Sequence, residues 1–122
     1  MFLELKHQKL EIYETSRKFI AECYKLTKTF PSEAKYVLTS QIRRAALSVH
    51  LNLAEGSSRK SAQERRRYYE ISRGSLIEID AALDVAYDLQ LFDPTKWEKL
   101  GSLANQCFGM FTRLINSTVP RQ

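Results

Sequence analysis

The chain has 122 residues, of which 43% are hydrophobic and 27% charged, a composition typical of an ordinary globular domain. No apolar run approaches the roughly 18 residues that a membrane span requires, and the N-terminus lacks the pattern of a secretory signal. Cys23 and Cys107 lie on apolar stripes, which predicts buried free thiols in a reducing compartment. We expect one cytoplasmic domain over residues 1–122 that has no membrane partner and no cofactor.

The pattern of breakers and apolar residues predicts an all-α fold. Glycine and proline occur only four and three times, and signals for strands and tight turns are scarce. Apolar residues recur at the helical period in four segments, about 2–29, 33–56, 61–90 and 94–117. The start of the second segment is open between residues 32 and 39, because Ser32 and Thr39 are both plausible caps. Long helices joined by short loops favour an antiparallel up-down-up-down four-helix bundle.

Several short signals mark the helix ends. Gly56 stands where a C-terminal cap of the second helix belongs. The sequence from Ser61 to Glu64 fits a capping box, and Asp93-Pro94 supplies a cap and a first-turn proline for the fourth helix. Gly74 falls in the middle of the third helix, where glycine costs about 1 kcal/mol relative to alanine, so we expect close helix packing within the bundle there.

The net charge of +5 arises entirely from residues 41–75, which hold eight basic and three acidic side chains, whereas the rest of the chain holds eleven of each. Arginine and lysine neutralise phosphates and release counterions, so this segment predicts salt-dependent binding of nucleic acid. The alternative is a solvated surface whose basic groups pair with glutamates of the same segment. The candidate phosphate contacts are Arg44, Arg59, Lys60, Arg65, Arg66 and Arg67. Tyr68 and Tyr69 follow directly, and core or interface packing is favoured for them over stacking on bases.

The second helix carries apolar residues on two faces. Ile42 and Val49 mark the core face, whereas Leu47, Leu51 and Ala54 project about 120–180° away from it at 100° per residue. Such a patch indicates a subunit interface, unless a wide core or the first helix covers it. We assign Arg43, Leu47, Leu51 and Ala54 to an oligomer interface. Arg43 and Arg44 flank this patch, and for both a ligand contact and an ion pair across a subunit boundary remain open.

Signals for catalysis or metal binding are weak. His7 and His50 are the only histidines, and neither belongs to a triad or to a metal-ligand spacing. Asp80, Asp84 and Asp88 form one acidic stripe on the third helix, which is expected to be solvated or to pair with the basic segment of a neighbouring subunit. The sequence therefore predicts no catalytic residue, no metal site and no enzymatic activity.

The segments from Leu38 to Ala46, from Asn52 to Gly56 and from Arg59 to Ser61 resemble a known family, as do Gly74 to Leu76 and Gly109-Met110. They are similar to the four-helix-bundle proteins encoded in bacterial 23S rRNA intervening sequences, a family that includes the accessory variability proteins of diversity-generating retroelements. The resemblance covers nearly the whole chain. One departure is His50, which stands where the family usually has a proline that kinks the second helix.

The resemblance implies a ring-like homopentamer with a basic surface and, for the retroelement members, binding to nucleic acid and to a reverse transcriptase. Together with the charge pattern, it predicts a non-enzymatic oligomeric accessory protein that binds nucleic acid, with RNA as the expected partner. The alternative is a scaffold that docks an acidic protein or a reverse transcriptase without touching nucleic acid.

Overall fold

The structure is a computed structural model that describes residues 1–120, apart from the side chain of Lys35. Four α-helices make up most of this part of the chain, and no strand occurs within it. Helix α1 spans Glu11–Lys28, α2 spans Ser40–Ser57, α3 spans Ala62–Asp88 and α4 spans Glu98–Ser117. The predicted all-α class and the four helices are confirmed.

Each helix packs against two neighbours around one core. Helix α2 contacts α1 and α3, and α4 contacts the same two helices. The predicted core face of α2 is buried from Ile42 to Leu53. The largest fully buried side chains come from all four helices: Phe19, Leu26, Ile42, Leu53, Ile79 and Phe111.

The first helix begins later than the predicted residue 2. A short 3-10 turn, Lys6–Lys9, is followed by Leu10 in an extended conformation, and α1 starts only at Glu11. Leu3 and Leu5 are exposed, so they find no core that would hold an additional helical turn in place.

The segment before α2 is helical but not α-helical. A 3-10 turn over Ser32–Ala34 and a π-helix over Lys35–Thr39 lead into α2 at Ser40. A 3-10 turn is a tighter form of the helical spiral, and a π-helix is a wider form. The predicted start at residue 33 therefore falls within this helical segment, ahead of the α-helix itself.

The two mid-bundle glycines behave differently from the sequence prediction. Gly56 lies inside α2 and has no positive φ, and Ser58 caps the helix instead. A Cβ at Gly56 would lie 2.6 Å from the Cβ of Tyr68, so this glycine permits the close approach of α3. At Gly74 a Cβ would meet nothing within 4 Å, so the expected helix packing within the bundle is wrong.

The ends of α3 and α4 follow local capping chemistry. The Ser61 hydroxyl accepts the backbone N–H of Glu64 at 3.0 Å, as the capping-box pattern predicts for this side chain. Gln90, with φ of 60°, adopts the left-handed conformation that terminates α3. Asp93 caps a 3-10 turn over Pro94–Lys96, and α4 begins at Glu98, four residues after the predicted start.

Cys23 and Cys107 are free and fully buried. Burial raises the pKa of each thiol to about 12, and the neighbouring Cys107 and Glu22 add to the effect at Cys23. Both therefore remain neutral thiols that pack as small apolar groups, as predicted. None of the described helices is long and apolar enough to cross a membrane.

Candidate nucleic-acid interface

The short connection between α2 and α3 is built around Arg59. Its Nη2 contacts the carboxylate of Glu55 and donates to the Tyr68 hydroxyl at 3.0 Å. The guanidinium carbon lies 4.9 Å from the centre of the Tyr68 ring, within the range of a cation–π contact. The Arg59 Nε atom is buried without a hydrogen-bond partner among the described residues. Among the described residues, the polar contacts of the Arg59 guanidinium are thus made by Nη2.

Arg65 braces the same connection from α3. Its Nη1 donates to the carbonyl oxygens of Arg59 and Lys60 at 3.1 and 2.8 Å. A charged donor on two carbonyls fixes the loop in place. Both Arg59 and Arg65 therefore shape the loop that presents Lys60, whatever else they contact.

The basic residues of α3 point in two directions. Arg66 and Arg73 reach α4: Arg66 donates to the Thr118 carbonyl at 3.4 Å, and Arg73 donates to the Thr112 hydroxyl at 3.2 Å. Arg66 also lies 4.0 Å from a carboxylate oxygen of Glu70. Arg67 is exposed on another side of the helix, 5.9 Å from the Tyr68 ring centre. The run of three arginines does not form one surface.

Arg43 and Arg44 also differ. Arg43 is half-buried, donates from Nε to the Thr27 hydroxyl at 2.8 Å and stacks 4.5 Å over the Tyr24 ring of α1. Arg44 is exposed. Within residues 1–120, the side chains of Arg44 and Lys60 make no hydrogen bond or ion pair, so both charges are free to meet a ligand. With Arg67, they are the most accessible of the predicted basic residues.

The two tyrosines divide between core and surface. Tyr69 is buried, and its hydroxyl lies 3.2 Å from that of Ser57. Tyr68 is half-buried, and Arg59 and Arg67 cover its ring. Tyr69 therefore has the packing role that the sequence favoured, whereas the Tyr68 ring remains partly exposed.

The second apolar face of α2 is open in the protomer. Leu47 and Leu51 are 41% and 59% exposed, and Ala54 is half-buried. Neither the core nor α1 covers the two leucines, which removes the alternative of a wide core. Helix α3 also exposes two isoleucines that were not predicted from the sequence, Ile71 at 41% and Ile77 at 56%. The signal was present in the sequence, because both isoleucines fall outside the stripe of Leu76 and Ile79.

His50 is a packing residue in this arrangement. Its Nδ1 shares a 2.7 Å hydrogen bond with the hydroxyl of Ser16, and its ring centre lies 4.5 Å from that of Tyr13. Burial lowers the pKa of His50, with additional contributions from the positive charges of Arg17 and His7. Ser16 is fully buried, so the pair joins α1 to α2 and faces no open site. Helix α2 continues through His50 without a break.

A groove of about 940 Å³ separates the outer edges of α3 and α4. Aromatic and aliphatic side chains line it, and Asp80 and Asp84 stand on its α3 side. Among residues 1–120, no three histidine, cysteine or acidic side chains are arranged to hold a metal ion. The acidic stripe is therefore exposed charge beside an apolar groove.

Comparison with known proteins connects this bundle to a family. The family model of the 23S rRNA-intervening sequence protein matches residues 8–113. The fold is also that of a 1.70 Å crystal structure of a protein of unknown function from the S23 ribosomal protein family of Bacteroides thetaiotaomicron. The TM-score is 0.77 at 16% identity, over 85% of this chain and 97% of that one. No curated protein matches the chain. Since the family model covers most of its length, the chain belongs to the 23S rRNA-intervening sequence protein family.

Proposed function

We propose that the protein is a non-enzymatic, cytoplasmic accessory protein that binds nucleic acid, with RNA as its partner, through a basic surface repeated in an oligomer. The observation that carries this proposal is the location of the charge. The whole excess of +5 lies in residues 41–75, and Arg44, Lys60 and Arg67 are exposed there. Exposed cations without internal carboxylate partners are the groups that replace counterions on a phosphate backbone.

Within the predicted set, the residues have different roles. Arg44, Lys60 and Arg67 contact phosphate directly. Arg59 and Arg65 hold the loop in shape through the contacts at Tyr68 and at the loop carbonyls. Arg66 stands at the junction with α4 and contributes at the edge of the surface.

The assembly is an up-down-up-down bundle in a ring-like homo-oligomer, and a homopentamer is the form that the family resemblance implies. Leu47, Leu51 and Ala54 lie in the subunit contact, whereas Arg43 supports it from the side through Tyr24 and Thr27. Repetition of three free cations around a ring strengthens a weak patch through avidity. The family's name makes structured RNA from a 23S rRNA intervening sequence the first ligand to test.

The test is RNA binding across a salt series. Fluorescence anisotropy with a structured RNA hairpin, from about 50 to about 200 mM salt, gives the slope of log affinity against log salt. The variant Arg44→Ala/Lys60→Ala/Arg67→Ala removes three charges from each subunit and is expected to reduce the slope by at least about two. The matched control, Lys9→Ala/Lys18→Ala/Lys28→Ala, removes three exposed charges from the α1 side and leaves the slope nearly unchanged. Absence of binding at low salt would reject the proposal.

A second candidate is a scaffold that docks an acidic protein or a reverse transcriptase. The apolar side chains of Leu47 and Leu51 beside Arg44 favour it, since RNA backbones offer little to a leucine. This candidate predicts that the protein does not bind RNA at low salt. It predicts instead that the wild type binds an acidic protein partner and that Leu51→Asp abolishes this binding.

A further inference from the structure

Tyr68 lies near the start of α3, and its ring is held in place at both ends. A Cβ at position 56 would lie 2.6 Å from that of Tyr68, so Gly56 allows the tyrosine to lie directly against α2. At the tip of the ring, the hydroxyl accepts a hydrogen bond from Nη2 of Arg59 at 3.0 Å. The ring is nevertheless partly exposed, whereas the adjacent Tyr69 is buried. Tyr68 is therefore a fixed aromatic surface that solvent reaches.

The two arginines beside this ring are held differently. The guanidinium carbon of Arg59 lies 4.9 Å from the ring centre, the same group contacts Glu55, and its Nε atom is buried. The guanidinium carbon of Arg67 lies 5.9 Å from the ring centre, near the outer limit of a cation–π contact. Within residues 1–120, the Arg67 side chain makes no hydrogen bond or ion pair. Arg59 is thus fixed beside the ring, whereas Arg67 is free to leave it.

A nucleotide can use both features of this arrangement. Hydrogen bonds from a guanidinium to a phosphate are charge-assisted and stronger than an exposed cation–π contact, so a phosphate attracts Arg67 away from the ring. This movement uncovers more of the Tyr68 ring next to the bound phosphate. Aromatic rings and guanidinium planes are both surfaces on which bases stack, so the ring and Arg59 together offer a place for the base.

Only an unpaired base can reach such a place. Inside a continuous duplex each base is already stacked between its neighbours, whereas the bases of loops, bulges and ends can be splayed out onto an aromatic ring. We infer that Tyr68 is a stacking platform for an unpaired base, so that this basic surface binds single-stranded RNA more tightly than continuous duplex. The inference rests on the proposed function and names the class of RNA that its surface takes.

Stacking and phosphate contacts leave different signatures in a binding measurement. The exposed cations Arg44, Lys60 and Arg67 release counterions, so they set the salt dependence and act on paired and unpaired RNA alike. A tyrosine ring releases no counterions and adds affinity only where a base is available to it. Removal of the ring should therefore lower the affinity for single strands without changing the slope of log affinity against log salt.

The test compares two labelled RNAs by fluorescence anisotropy across a salt series. One is a single-stranded oligouridylate of about 12 nucleotides, and the other is a blunt-ended duplex of about 12 base pairs. Tyr68→Leu keeps the Cβ that packs at Gly56 but removes the ring, and circular dichroism and thermal unfolding verify its fold. We expect it to weaken single-strand binding at least about 5-fold and duplex binding less than about 2-fold, with both salt slopes unchanged.

Two further variants separate stacking from other effects. Tyr87→Leu removes an exposed tyrosine about 28 Å away along α3 and is the matched control, with wild-type binding of both RNAs. Tyr68→Phe retains the ring, loses the hydrogen bond to Arg59 and is expected to bind the single strand within about 2-fold of the wild type. A loss in Tyr68→Phe as large as that in Tyr68→Leu would overturn the inference, since the hydroxyl contact would then be what matters.

The outcomes also distinguish this inference from the proposed function. If the wild type binds RNA but Tyr68→Leu leaves single-strand binding intact, or weakens binding of both RNAs equally, the stacking platform is rejected and the nucleic-acid role remains. If the wild type binds neither RNA at low salt, the nucleic-acid role is rejected, and the stacking platform is rejected with it.

Discussion

Helices α1 and α3 both pack against α2 and α4, but they distribute their apolar side chains differently. Helix α1 buries Ile12, Phe19 and Leu26 and exposes mostly charged residues. Helix α3 buries two serines, Ser72 and Ser75, beside Leu76 and Ile79, and leaves Ile71, Ile77 and Val85 exposed. Helix α1 therefore has one apolar face, which serves the core, whereas α3 has a second apolar area that the described part of the chain leaves exposed.

The largest effect on stability is expected from Phe19→Ala, a substitution on the buried face of α1. Phe19 is 1% exposed, so truncation leaves a cavity in the centre of the bundle. The free energy of unfolding is expected to fall by about 3–5 kcal/mol. Chemical denaturation measures the change, and Lys18→Ala on the exposed side of the same helix is the control, with an effect within about 0.5 kcal/mol.

The next largest effect is expected from Gly56→Ala, which pushes α3 away from α2. The new Cβ would lie 2.6 Å from the Tyr68 Cβ and 3.2 Å from the Tyr69 ring. Both neighbours are held by the helix backbone or by burial, so the helices must shift. We expect a loss of about 1–3 kcal/mol in the free energy of unfolding, although alanine is the better helix former. An unchanged or raised stability would show that α3 has room to move.

Sequence periodicity predicted the buried faces of α1 and α2 well because the core residues of each recur at the helical period. Periodicity failed where the role of a residue depends on a neighbouring side chain from another helix. The sequence identifies Gly56 and Gly74 only as glycines, and the distance to Tyr68 distinguishes their roles. Similarly, it predicts a charged segment but not that Arg43 stacks on Tyr24 while Arg44 remains exposed. The N-terminal leucines extended the predicted first helix because an apolar period alone cannot show that the core ends at Ile12.

Ser72→Ala tests how much the polar inward side of α3 contributes. The Ser72 hydroxyl is fully buried and donates to the Val49 carbonyl at 2.9 Å. Its removal takes away one hydrogen bond but leaves no large cavity, so the expected loss is about 1 kcal/mol. Denaturant unfolding of this variant beside Phe19→Ala gives the contrast directly. A loss of unfolding free energy as large as that of Phe19→Ala would mean that the buried faces of α1 and α3 contribute equally to stability.

Gly74→Ala should have the opposite sign to Gly56→Ala. No atom lies within 4 Å of the new Cβ, so the subunit gains helix propensity without a clash. We expect the free energy of unfolding, measured by chemical denaturation, to rise by up to about 1 kcal/mol. A loss of stability would contradict this prediction and show that packing within the chain requires a glycine at position 74.

The smallest expected effect concerns the contact of α1 with His50, because this imidazole is only half-buried. Its pKa in the folded protein is lowered from the ordinary 6.5, mainly by burial, so the fold favours the neutral ring. The unfolded chain therefore binds more protons as the pH falls below 6.5. The contribution of His50 to the free energy of unfolding is fully present above pH 6.5. It decreases as the pH falls towards the folded-state pKa and changes no further below that pKa. Urea unfolding at several pH values should show this decrease in the wild type and a smaller one in His50→Gln. Equal pH dependence in both proteins would mean that protonation of His50 does not weaken the packing of α1 through the Ser16–His50 contact.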